Sequence, residues 1–205
     1  MAKVQGVKER LHSPIYDCFF VPGKKNGTDA KTFNETMTDP RVIRFFVDVQ
    51  NKTLLETNMQ AAGVLPSLNH FEGRALRVVV SSPSFQGEKV QEPNLLADLI
   101  YNSVTTLIVG EKVMIQMPTY WFPSGAGLSP GFPTVINHGE PNPDATFRFA
   151  EPVFIEPQQN FRVEMLFPQG VPGQDAQPDP NRLAGLEGPL RIWVVLDGYL
   201  TRDVQ

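Results

Sequence analysis

The stretch that most limits what this chain can become is its C-terminal third, Thr146 to Gln205. Phe147, Phe149, Phe161, Val163, Met165 and Phe167 alternate there with polar or small neighbours. A period of two places alternate side chains on opposite faces of a pleated strand, so this pattern predicts strands with one buried face. Further on, Ile192-Trp193-Val194-Val195-Leu196 has no polar residue. Such a run fits a strand buried on both faces, with Trp193 in the core.

Upstream, five more segments read as strands: Ile15–Val21, Arg41–Val49, Arg74–Ser82, and the pair Val104–Val109 and Lys112–Met117 around Gly110-Glu111. Glycine at the first central position of a two-residue connection suits a type II′ hairpin turn. Pro93 to Tyr101 is the best helix candidate, with Leu95, Leu96, Leu99 and Ile100 on one face. Residues 1–14 are polar and predict an arm, and 23–40 an exposed loop. Residues 53–70 are ambiguous, because Leu54-Leu55 suits either a strand or one helical turn. The 19 prolines and 16 glycines cut the chain into short elements, as turn-rich β proteins require.

Two tracts are long for a compact domain, Pro118–Ala145 and Pro168–Pro189, and loops of that length tend to be functional or disordered. The first carries Tyr120, Trp121, Phe122 and Phe132, too many aromatics for a solvated linker. These four are the candidate subunit-interface residues. With about eight strands, one short helix and long Pro/Gly-rich loops, the expected fold is all-β: a jelly-roll-like two-sheet β-sandwich. Length favours one domain over 15–205 following the 1–14 arm.

Charge and motifs narrow the function. A formal net charge of −4 argues against a dominant nucleic-acid surface, which needs clustered Lys and Arg. No secretory leader and no apolar run near bilayer length is seen, and Cys18 alone permits no intrachain disulfide. The sequons at Asn26, Asn34 and Asn51 read as chance matches. His12, His70 and His138 are far apart and form no metal-binding motif; His138 with Glu140 is the nearest approach to a cupin-type set. No nucleophile elbow or phosphate-binding loop is present, and Cys18 reads as a buried, inert thiol. Asp197, Glu151 and Glu156 are carboxylates without a defined pairing, and Asp197-Gly198 reads as a bulge or turn. The expectation is a protein that is not an enzyme and uses no metal or cofactor.

The segments RVIRFFVDV, ALRVVVSS, SVTTLIVGEKVMIQMP, FRFAEPVFI, NFRVEMLF and PLRIWVVLDGYLTRDVQ, with the polar arm and aromatic loops, resemble the jelly-roll capsid proteins of tailless bacteriophages. The resemblance is one of architecture over residues 15–205. It implies a virion structural protein, made in the host cytoplasm, whose loops and arm bind copies of itself and other virion proteins. The alternatives are a carbohydrate-binding or receptor-attachment sandwich using Tyr120 and Trp121, and a cupin-like enzyme.

Overall fold

The computed structural model describes residues 8–23, 29–39, 41–81, 98–123, 125–127, 140–141, 144–168 and 186–203. Eleven strands are seen among them: β1 (Lys8–His12), β2 (Ile15–Val21), β3 (Val42–Phe45), β4 (His70–Ser81), β5 (Val104–Val109), β6 (Lys112–Pro118), β7 (Ala126–Gly127), β8 (Glu140–Pro141), β9 (Arg148–Ile155), β10 (Phe161–Leu166) and β11 (Leu190–Asp203). One sheet runs β1-β11-β4-β9 with β2 also on β11, and the other runs β3-β10-β5-β6. Every pairing among these strands is antiparallel.

The pairing pattern gives the topology. β2 lies on β11, β3 on β10, β4 on β9 and β5 on β6. A long hairpin folded over on itself produces this order, with two four-stranded sheets, β2-β11-β4-β9 and β3-β10-β5-β6. That is the jelly roll, so the expected all-β two-sheet sandwich is the observed one.

Alternation drives the burial. On β10 the sequence FRVEML alternates buried and half-buried from Phe161 onward. On β11 the same alternation holds from Leu190 to Gly198. The 192–196 run is therefore buried on one face only, which corrects the expected burial on both. Trp193 is half-buried on the outer face, where its indole N–H donates to Leu55 O at 3.0 Å. The inner faces meet in a core that includes Phe45, Phe71, Leu76, Leu107, Val163, Met165 and Ile192.

The β5–β6 turn follows its glycine. Gly110 has φ +61 and Glu111 does not share a positive φ, the arrangement of a II′ turn. Asp197-Gly198 is a bulge: the register with β4 shifts there. A Cβ on Gly198 would run into the backbone carbonyl of Glu72.

Three expectations need correction. Lys8–His12, assigned to an arm, pairs as β1 on β11 in the same register that β2 follows. Its strand nature is hidden because its side chains are almost all exposed, so no alternation is written into KERLH. Within the supposed loop 23–40, Phe33–Thr36 form a one-turn helix α1. Thr32 and Glu35 cap it reciprocally, with Glu35 N–H on Thr32 Oγ1 and Thr32 N–H on Glu35 Oε2. Phe33 drops into the core, edge-on to both Phe19 and Phe167 at 5.9 and 6.0 Å. The strand expected over Arg41–Val49 stops at Phe45, because Phe46 has φ +68; its N–H donates to the buried Asp17 carboxylate at 2.7 Å. Of the two readings of Leu54-Leu55, one helical turn is the observed one: Thr57 N–H donates to Thr53 O at 3.0 Å, and both leucines are exposed. Of the expected helix Pro93–Tyr101, residues 98–101 are helical and Leu99 is buried; the rest lies outside the described residues.

Register also fixes where the connections leave. Val21, Leu190 and Ser81 share one end of the first sheet. Val42, Leu166, Val104 and Pro118 share one end of the second. The connections 22–41, 82–103, 119–147 and 167–189 therefore all depart from one pole. Backbone bonds tie them in pairs: Phe33 N–H to Leu186 O and Gly188 N–H to Lys31 O, and Thr119 N–H to Ser103 O. The opposite pole carries 46–69, the Gly110-Glu111 turn and 156–160.

Candidate functional site

At the long-connection pole, directly after β6, Thr119–Trp121 form a 3-10 turn. A buried hydroxyl relay holds it. Ser103 Oγ lies 2.6 Å from Leu99 O and 2.7 Å from Thr119 Oγ1, which lies 2.8 Å from Thr105 Oγ1. A carbonyl only accepts and each hydroxyl has one proton. The protons therefore run from Thr105 to Thr119 to Ser103 to Leu99 O. This relay ties the turn to the helical residues 98–101, and Phe122 O accepts from Val78 N–H on β4 at 3.0 Å.

With the backbone so fixed, three aromatic rings stand in a row on the surface. Tyr101 is 69% exposed, Tyr120 49% and Trp121 50%. Tyr101 lies 5.9 Å from Tyr120 with planes 29° apart, and Tyr120 lies 6.0 Å from Trp121 with planes 32° apart. Beneath them Phe147 stands edge-on to Trp121 and to Phe122. Tyr120, Trp121, Pro123, Asp144, Thr146 and Phe147 line a shallow depression of about 370 Å³.

Of the four residues expected at an interface, Tyr120 and Trp121 are thus at the surface and share one feature. Phe122 is 2% exposed and belongs to the core, which removes it from that set. In the tract TYWF nothing distinguishes the ring that turns inward; the 3-10 turn decides it by placing Phe122 over Phe147. Phe132 lies outside the described residues. Tyr101 has no signal in the sequence because it comes from a different connection, and only the fold brings it to Tyr120.

Comparison of the chain with family models, with curated proteins and with solved structures finds no match. The site must be read from its own chemistry.

A second cluster covers the outer face of the first sheet at the bulge. Asp197 receives His12 Nε2 at 2.7 Å and also pairs with Arg77. Burial alone would discourage its ionisation. The bonds and charges of His12 and Arg77 outweigh that and hold its carboxyl below the usual range. Arg10 bonds Glu72 at 2.5 Å, and Arg10 and Arg74 both sit over the Tyr199 ring, at 4.3 and 5.4 Å. These charges are paired across β1, β11 and β4 and knit the three strands together. His70 meets Glu156 at 2.8 Å, and Glu151 is exposed on β9. His138 and the side chain of Glu140 lie outside the described residues. Among the described residues no three His, Cys, Asp or Glu side chains gather as a metal site. Cys18 is buried, and burial pushes its thiol up to about 12.

Proposed function

We propose that this protein is a structural subunit of a virion-type shell, a non-enzymatic jelly roll that assembles with copies of itself and with other shell proteins. The observation that carries this reading is the set of exposed apolar side chains on β6 and β9. These two are edge strands of the two sheets. They border one side, since Trp121 and Phe122 just after β6 meet Phe147 just before β9. On β6 Val113 is 52% exposed and Met114 37%, and on β9 Phe154 is 58% exposed; Val113 faces out from the second sheet beside Ile108 and Phe154 out from the first beside Glu72. Large apolar side chains left exposed on both edge strands of a sandwich mark a contact surface.

Their company explains why the contact would be face-on. Edge strands invite ladder pairing with other chains unless blocked. β6 carries Lys112, a register irregularity beside Ile108 and Pro118 at its end, and β9 carries Pro152. Such features discourage strand addition and leave side-chain burial as the mode of association. Sister chains are the natural occupants, because a shell repeats one surface many times.

The test is electron microscopy and sedimentation velocity of the purified full chain. The expected result is closed particles or a defined oligomer that Val113→Asp with Phe154→Asp dissociates while leaving the circular dichroism unchanged. A wild-type chain that stays monomeric at millimolar concentration would overturn the proposal.

A further inference from the structure

We infer that the Tyr120–Trp121 depression is a binding site for a pyranose sugar. This inference stands apart from the assembly proposed above, which rests on the strand portion of the β6–β9 side.

A pyranose is amphipathic: its C–H bonds present a flat apolar face and its hydroxyls lie around the rim. A site for it therefore needs an exposed, immobile aromatic face and polar groups at the edge of that face. Both are present. The rings of Tyr120 and Trp121 are half exposed, yet the Ser103–Thr119–Thr105 relay fixes the backbone that carries them. Phe147 props Trp121 from below at 6.4 Å, edge to face. Asp144 and Thr146 line the same depression, and their side-chain types are an acceptor and a donor-acceptor of the kind sugar hydroxyls need. Apolar lining with a few polar groups is the composition of small-molecule sites, and about 370 Å³ falls within their usual size.

Ring geometry favours a sugar over a proline-rich peptide. Peptides in the polyproline conformation dock into slots between aromatic ridges. Here Tyr101 stacks on Tyr120 with planes 29° apart, and Tyr120 and Trp121 tilt by 32°, at centroid spacings near 6 Å; a proline ring between two neighbours would need two van der Waals contacts of about 3.5–4.0 Å each, so no slot opens between them. Tyr101, stacked on Tyr120 and 69% exposed, offers a further ring to a second sugar unit. The depression is shallow, so a single site holds its ligand weakly. Repetition on an assembled particle would raise the effective affinity through multivalency.

The test is saturation-transfer NMR and tryptophan fluorescence on the full chain. The probes are the methyl glycosides of glucose, galactose, mannose and N-acetylglucosamine, with their β-linked disaccharides. Trp193→Phe leaves Trp121 as the sole indole. The expected result is saturation transfer to one C–H face of at least one sugar and a shift of Trp121 emission, with disaccharide bound more tightly than monosaccharide. Trp121→Ala should weaken binding by about tenfold or more, the cost of one lost stacking contact; Tyr101→Ala should weaken only the disaccharide. Preserved circular dichroism in both variants separates loss of binding from loss of fold. If no glycoside gives transfer at 20 mM, or if a peptide of residues 171–185 perturbs Trp121 while the glycosides do not, the inference fails. Either outcome leaves the particle assay of the assembly proposal to be read on its own.

Discussion

Asp17 offers the sharpest check on how this sandwich is held. It sits on β2 with its carboxylate fully buried. It accepts from Phe46 N–H at 2.7 Å and from Lys52 Nζ at 2.8 and 3.0 Å. The two charges are not equally trapped: the Lys52 side chain keeps 21% of its exposure and that of Asp17 none. Removing the acid lets the ammonium turn toward water, whereas removing the base strands a carboxylate that cannot. Breaking a buried pair costs about 3–5 kcal/mol when the survivor stays buried. Lys52→Met should therefore cost about 4 kcal/mol. Asp17→Asn keeps an acceptor for Phe46 N–H and loses only the charge assistance, about 1–2 kcal/mol. Asp17→Ala also orphans that N–H, at about 3 kcal/mol. The double variant Asp17→Asn with Lys52→Met should recover most of what Lys52→Met loses. Urea unfolding followed by tryptophan fluorescence measures each, and at a slope of about 3 kcal/mol/M the largest loss moves the midpoint by about 1 M. The midpoint should be checked at two protein concentrations, because assembly stabilises by mass action. If Lys52→Met costs no more than Asp17→Asn, the argument from unequal burial is wrong.

Three further outcomes are expected. Asp197 has its folded pKa held down, so its contribution to stability is present above the unfolded carboxylate value of about 3.9 and disappears as pH falls through the lower folded value. Asp197→Asn should flatten the acid limb of the urea midpoint against pH below about pH 4. Gly198→Ala places a methyl against Glu72 O and 2.9 Å from Phe71 Cζ; overpacking of about 2–3 kcal/mol should lower the melting temperature by about 5–10 °C. Cys18, buried and with its thiol pushed up to about 12, should not react with a thiol reagent at pH 7.5 until the chain unfolds, so the reaction rate should track the unfolding curve.

The strands with a buried face are legible in the amino-acid pattern alone: β2, β5, β10 and β11 lie where composition, period and turn residues place them, and β4 starts at His70, four residues before the expected Arg74. What stays hidden is set by contacts distant in sequence. β1 lacks a buried face and so lacks a pattern. Phe33 sits in a polar tract, and only the closure of the 22–41 connection against 167–189 turns it inward. Phe46 ends β3 because a carboxylate 29 residues earlier captures its N–H in a left-handed conformation. The site is half legible, since Tyr120 and Trp121 lie in a conspicuous tract. Tyr101, Asp144 and Thr146 join them only once β5, β6 and β9 are side by side.

The position of β11 bears on how the chain acquires its shape. This strand is translated after every strand it touches, yet it lies in the middle of its sheet, with β1 and β2 along one flank and β4 along the other. The native partner of the N-terminal strands therefore exists only after residues 22–189 are made. Closing so distant a partnership is slow, because the entropy of a long loop is lost before the ladder forms. A chain cut before Leu190 lacks the strand on which both β2 and β4 pair, so its first sheet has no centre.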